Sequence, residues 1–199
     1  PSSVPSTNPN LETTGGIIGI EEVKELLKND KVRCLGEVMN FQDVCFNEDS
    51  RAYQIVETCK QMRFDMPLEG HCPKISGQDL ATFIARGITA DHTQQSKESI
   101  MEKICSGMFL EIQRKSITSE VIQELVKNQV YDYFCFATDD VMPDLLLTGH
   151  LNELVKLAVE LGMPFEKAIY CATFTPSRRM HLEDRGAICP GRKADFILL

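Results

Sequence analysis

The feature that most constrains the fold is an alternation of short apolar segments with amphipathic helical segments along most of the chain. Such alternation predicts parallel β/α units, which build either an open doubly wound sheet or a closed (β/α)₈ barrel. A complete barrel has eight strands and typically about 250 residues, more than this 199-residue chain supplies. The predicted strands are "VRCLGEV", "DMPLEGH", "ITADH", "MFLEIQ" and "YDYFCFATDD".

Apolar spacing and end signals define the predicted helices. One face of the first helix is marked by Ile20, Val23, Leu26 and Leu27, and the residues expected to face inward on the second are Ile55, Val56, Cys59 and Met62. Ser50 precedes the second helix as its cap. Ser76 caps the next, with Asp79 in capping-box position and Gly87 at its end. Later helices are predicted over "SKESIMEKICSG", "SEVIQELVKN", "HLNELVKLAVELG" and "PFEKAIYCAT".

Composition excludes several classes of function. The net charge of −8 opposes binding to a phosphate backbone, and no basic patch argues for nucleic acid. No apolar stretch is long enough to span a bilayer, and no signal-peptide pattern opens the chain. The eight cysteines stand singly without a C-x-x-C motif, which is typical of reduced thiols in a cytoplasmic protein.

Ionisable residues recur at or near the carboxyl ends of four predicted strands. The strand "MFLEIQRKS", between the third and the fourth of these, carries Glu111 and Arg114 instead. Ligands of barrels and open α/β sheets bind outside these strand ends, so the side chains are expected to converge. The recurring residues are Glu37, His71, His92 and Asp139.

Carboxylates and imidazoles together suit zinc, iron or manganese, and a hydrolytic site needs them to hold a cation that activates water. Each residue also has a structural interpretation. A strand-end histidine can face solvent, Glu37 can form a loop salt bridge, and Asp139 with Asp140 can cap a helix. His150 is expected to cap or line the following helix, and His181 to lie on the surface.

An ordered set of segments resembles the bacterial adenine deaminases of the amidohydrolase superfamily. The segments are "PSSVPST", "LGEVMNF", "GHCPKISGQDL", "GITADHT", "TDDVMPDLL", "TGHLNELVKLAVELG" and "RGAICPGRKADFILL". The resemblance implies a partial (β/α)₈ TIM barrel over residues 1–185 and the beginning of a composite β-sandwich over 186–199. It also implies an enzyme acting on C–N bonds in cyclic amidines, converting adenine to hypoxanthine and ammonia in purine salvage.

The same resemblance implies roles for individual residues. Glu37 matches the carboxylate that bridges a binuclear iron, manganese or zinc centre. His71 and His92 match ligands from the family's fifth and sixth strands. Asp139 matches the aspartate that ligates a metal and relays a proton to the departing amine.

Departures from the family pattern leave alternatives open. The family's His-x-His ligand pair is missing, so the chain is expected to start near the third strand with an incomplete metal site. Open strand edges then favour pairing with another copy, and so a homo-oligomer, or indicate that the chain is an excerpt of a longer protein. Thr93 stands where a glutamate is usual, and Gln113 and Lys115 replace an arginine and a glycine. The alternatives are an amidohydrolase with another substrate, or a catalytically inactive metal-binding or regulatory module.

Overall fold

The computed structural model describes residues 16–198. The opening segment "PSSVPST" lies outside these described residues. The chain divides into two compact units. One runs to Asp91 and takes in Cys105–Met108, and the other comprises His92–Ile104 and the residues from Phe109 onward. Among the described residues, no helix combines the length and apolar character needed to cross a membrane.

Helices and strands alternate as predicted. The strands are β1 Leu35–Val38, β2 Leu68–Gly70, β3 Ala90–Asp91, β4 Phe109–Ile112 and β5 Phe134–Phe136. The helices are α1 Ile20–Leu27, α2 Phe41–Phe46, α3 Arg51–Met62, α4 Gly77–Ala85, α5 Lys97–Cys105, α6 Ser119–Asn128, α7 Leu151–Glu160 and α8 Phe165–Arg179. Within each unit, strands that neighbour one another along the chain pair in parallel. The α/β class is confirmed.

In the first unit, β2 pairs in parallel with β1 on one side and β3 on the other. Helix α3 begins at Ser50, whose hydroxyl accepts the Tyr53 N–H at 3.1 Å. Its inner face buries Ile55 and Cys59 completely. Burial of this apolar face is what fixes α3, because an isolated 12-residue helix is only marginally stable in water.

In the second unit, β4 and β5 pair in parallel, with Leu110 opposite Phe134 and Ile112 opposite Phe136. Helices α7 and α8 both contact β5. Two α8 side chains anchor the entry to β5: Thr175 Oγ1 donates to the Tyr131 carbonyl at 3.2 Å, and Cys171 Sγ lies 3.5 Å from the same oxygen. This packing holds the segment that enters β5 against α8.

Local predictions failed at several element ends. Met62 is 42% exposed rather than inward, because it is the last residue of α3, where the helix face opens to solvent. Ser76 does precede α4, but its side chain makes no capping hydrogen bond. The first helical residue, Gly77, has a φ of +56°, so the backbone that the capping box requires is not formed.

The tail and the last helix also differ from expectation. Helix α8 continues through Pro176 to Arg179, beyond the predicted end near residue 173. No strand forms within residues 186–198, although the beginning of a β-sandwich was expected over residues 186–199. A strand is defined by its pairing partner, and no described segment pairs with this one. The proposed division at residue 185 stays a prediction.

Candidate metal centre

Glu37 and His71 meet in the first unit. Glu37 lies in β1, and His71 directly follows β2, the strand that pairs with β1. Nδ1 of His71 lies 3.0 Å from Oε2 of Glu37, and the two side chains are 30% and 33% exposed. The backbone N–H of His71 donates to the Val38 carbonyl at 3.1 Å, which fixes the imidazole beside β1. The predicted convergence of these two strand ends is confirmed.

Two neighbours of His71 fix the end of β2. Gly70 packs so closely against the β3 region that an added Cβ would lie 2.6 Å from the Ala90 carbonyl oxygen. On the other side, the Cys72 N–H donates to Oδ1 of the fully buried Asp91 at 3.0 Å. The histidine therefore sits between two residues whose backbones are held to β3.

His92 begins the second unit, directly after β3, and its side chain is 12% exposed. Its Nδ1 lies 4.0 Å from Oε2 of Glu111 on β4. The loop that follows His92 is fixed by Gln95, whose N–H donates to Ser116 Oγ at 2.9 Å. The Gln95 amide also donates to the Thr93 carbonyl at 2.8 Å. These bonds hold the loop beside the turn that follows β4.

Asp139 follows β5 with a left-handed backbone, φ +57°. Oδ1 accepts the Asp140 N–H at 2.8 Å, and Oδ2 accepts a hydrogen bond from Gln113 Nε2. Burial alone would raise the pKa of Asp139. The Asp140 N–H, the charge of His92 and the Gln113 amide outweigh burial and hold that pKa below its ordinary value. Asp139 is therefore ionised at neutral pH.

Three side chains of the described part of the chain are candidate metal ligands: Glu37 and His71 in the first unit, and His92 in the second. Each offers one ligand atom, and all three side chains are partly accessible to solvent. Two imidazoles and a carboxylate are the donor set found in catalytic zinc sites, so the residues present fit a divalent ion. The role of Asp139 as a ligand stays a prediction.

Sequence reasoning did not assign Glu111 and Gln113 to the site. Both lie at the β4 end, two residues apart, and alternate with Leu110 and Ile112, which are fully buried. Polar residues on one face of an otherwise apolar buried strand were the available signal. His150 was expected to cap or line the following helix; it directly precedes α7, but its side chain makes no capping hydrogen bond. His181 is exposed, as predicted.

Comparison with known proteins identifies relatives along the whole chain. A sequence model described as the amidohydrolase family matches residues 7–199. The chain is 55% identical over 199 residues to adenine deaminase 2 of Oenococcus oeni. It is 56% identical over the same length to an adenine deaminase of Clostridium perfringens. Each match covers all of this chain but only 35% of the relative, so the chain spans about a third of their length.

A solved structure shares the fold at low sequence identity. The β-aspartyl dipeptidase of Fervidobacterium islandicum, crystallised with a β-Asp-Leu dipeptide, superposes with a TM-score of 0.63 at 18% identity. The match covers 93% of this chain and 56% of the dipeptidase. Together with the parallel sheet, this supports the predicted partial barrel. It gives no support to the predicted terminal sandwich.

Proposed function

Because this chain belongs to the amidohydrolase family, we propose that it supplies metal-binding and proton-handling residues to a hydrolytic adenine deaminase. The reaction replaces the 6-amino group of adenine by oxygen, giving hypoxanthine and ammonia. The observation that carries the proposal is the 55–56% identity to adenine deaminases over the full length of the chain. The Glu37–His71–His92 donor set agrees with it.

In this proposal, Glu37, His71 and His92 hold a divalent metal ion, and Asp139 completes its ligand set. When bound, the ion lowers the pKa of a coordinated water toward about 7 and so supplies a nucleophile at neutral pH. The 3.0 Å approach of Glu37 to His71 supports a shared role, because it places a carboxylate oxygen beside an imidazole nitrogen without burying either. The ordered backbone around His71 limits how far this pair can move.

Asp139 is proposed to accept a proton from the attacking water and deliver it to the departing amine. The step needs an ionised carboxylate near the reacting atoms. The lowered pKa of Asp139 keeps it ionised, and the bonds from Asp140 and Gln113 fix both oxygens in one orientation. Proton transfer of this kind contributes about 10²–10⁴-fold to a rate.

Finer features of the proposal follow from the resemblance to the family. The metal is iron, manganese or zinc, in a binuclear centre of which this chain provides a part. The protein acts in the cytoplasm, in purine salvage, as a homo-oligomer. Adenine is its small-molecule substrate, and neither nucleic acid nor a membrane takes part.

A second candidate is an amidohydrolase with another substrate. Gln113 favours it, since an amide contacts Asp139 at a position where the family motif has an arginine. Thr93, buried beside His92 in place of the usual glutamate, points the same way. A module that binds a metal without catalysis is the third candidate.

The decisive experiment measures ammonia release from adenine by the complete gene product, purified and loaded with Mn²⁺ or Zn²⁺. We expect turnover in the unaltered protein and a loss of about 10²-fold or more in Asp139→Asn. Asp144→Asn, an exposed aspartate in the same loop, serves as the matched control and should retain full activity.

Each failure has a separate meaning. No ammonia from adenine in a metal-loaded protein contradicts the proposal, and ammonia from another cyclic amidine then selects the second candidate. Metal binding without release from any nucleobase selects the third. Full activity in Asp139→Asn, with adenine still deaminated, contradicts the proton-transfer role alone.

A further inference from the structure

Strand β4 and the residue that directly follows it carry two polar side chains, each of which approaches a proposed ligand. Glu111 and Gln113 are two residues apart, so they project from the same side of the strand. Glu111 approaches His92, which follows the preceding strand, with 4.0 Å between the carboxylate oxygen and Nδ1. Gln113 contacts Asp139, which follows the next strand. Neither Glu111 nor Gln113 belongs to the candidate ligand group itself.

Of these two residues, Gln113 has the better-defined contact. Its side chain is 3% exposed, and its Nε2 donates to Oδ2 of Asp139. The other carboxylate oxygen of Asp139 is already occupied by the Asp140 N–H. A buried amide of this kind retains its place only while its hydrogen bonds are made, because leaving it unpaired costs about 1–3 kcal/mol.

We propose that Gln113 is a positioning residue for Asp139, holding the aspartate in the orientation in which it serves the metal centre. The inference rests on the proposed function and adds to it a residue that does not itself touch metal or substrate. Outer partners of metal ligands fix ligand orientation, and their replacement typically reduces metal affinity or activity by about 10–100-fold.

A glutamine suits this task chemically. Its amide donates one hydrogen bond without adding a charge, so Asp139 keeps its full negative charge for a cation. An arginine at the same place would offer a paired, charge-neutralising contact instead. The amide therefore orients the carboxylate and leaves it a strong donor to metal.

The test uses Gln113→Met, which is close in volume but has no N–H donor. Zn²⁺ affinity is measured on the complete gene product by competition with a chromogenic chelator, and kcat and KM for adenine are measured on the loaded protein. We expect Zn²⁺ affinity or kcat to fall about 10–100-fold. A positioning role predicts an unchanged KM, because in this proposal Gln113 acts on Asp139 and not on the substrate. Gln123→Met, on the exposed face of α6, is the matched control and should match the unaltered protein.

Gln113→Asn provides a second variant should the methionine protein fail to fold. It keeps the amide but withdraws it by one methylene, about 1.5 Å, so the same direction of change is expected. Zn²⁺ affinity and kcat both within about twofold of the Gln123→Met control overturn the inference. A parallel loss of kcat and rise of KM overturns it as well, since that pattern indicates a substrate contact.

The affinity measurement needs no substrate, so the two proposals fail separately. If the unaltered protein is inactive on adenine but Gln113→Met binds Zn²⁺ more weakly than it does, the positioning role is supported and the proposal that adenine is the substrate is contradicted. If the protein releases ammonia from adenine and Gln113→Met changes neither Zn²⁺ affinity nor kcat, the substrate proposal is supported and the positioning role is contradicted. If the unaltered protein binds no Zn²⁺, and Gln113→Met has the same kcat as the unaltered protein, the positioning role is overturned.

Discussion

Gly70→Ala is expected to destabilise the protein although it adds a single methyl group. Gly70 ends β2, immediately before His71. The added Cβ would lie 2.6 Å from both the Ala90 carbonyl oxygen and Cγ2 of Ile88. It would also lie 3.0 Å from a ring carbon of Phe83. Three neighbours from the same unit therefore occupy the space that the methyl group needs.

The size of the effect follows from how far those neighbours must move. Ordinary van der Waals contact begins at 3.4 Å, so the Ala90 oxygen must retreat by about 0.8 Å. That oxygen belongs to the β3 backbone, which pairs with β2 through Gly70 and Asp91. Overpacking of this kind costs about 1–3 kcal/mol, offset by about 0.4–1 kcal/mol from the stiffer unfolded chain. A net loss of about 1–2 kcal/mol is expected.

Urea denaturation measures this loss as a difference in free energy of unfolding. Gly16→Ala is the matched control, because no atom lies within 4 Å of its added Cβ, and it should change stability little. Zn²⁺ affinity should fall in Gly70→Ala but not in Gly16→Ala, since displacing β2 displaces His71. A Gly70→Ala protein as stable as Gly16→Ala would refute the steric argument.

Three smaller predictions follow from caps, burial and charge. Ser50→Ala should cost about 1 kcal/mol in unfolding free energy, whereas Ser76→Ala, which loses no capping bond, should cost less than half of that; equal losses would contradict the assignment. Burial raises the pKa of the Cys171 thiol to about 12, so iodoacetamide at pH 8 should leave it unmodified in the folded protein, as peptide mass spectrometry can show. Hydrogen bonds from Arg185 and then from a lysine hold the pKa of Asp184 below its ordinary value of 3.8, so its pairing stabilises the fold above pH 3.8 and is lost as pH falls through the lowered pKa. A carbon-13 NMR titration of Asp184 with its midpoint at or above 3.8 would contradict this.

Elements specified by local signals were predictable from the sequence. Helix α6 spans Ser119–Asn128, the predicted bounds, because Thr118 caps it and Val121, Ile122 and Leu125 form a buried stripe. The strand-end positions of Glu37 and His71 were likewise predictable, since parallel β/α units bring carboxyl ends to one side.

Features that depend on tertiary packing could not be predicted from the sequence. Helix α2, with six residues, is too short for a periodic pattern to identify it. The contact between Gln113 and Asp139 joins residues 26 positions apart that follow two neighbouring strands, β4 and β5. Only the register of β4 against β5 decides that these two side chains meet, and a single residue of slip would turn Gln113 to the opposite face.

Anomalous diffraction from crystals of the Zn²⁺-loaded complete gene product tests the central claim, that Glu37, His71 and His92 hold a metal ion. We expect a zinc peak about 2.0–2.2 Å from a carboxylate oxygen of Glu37 and from one ring nitrogen of each histidine. A peak elsewhere in the molecule, or none near these three side chains, would contradict the assignment of the metal centre.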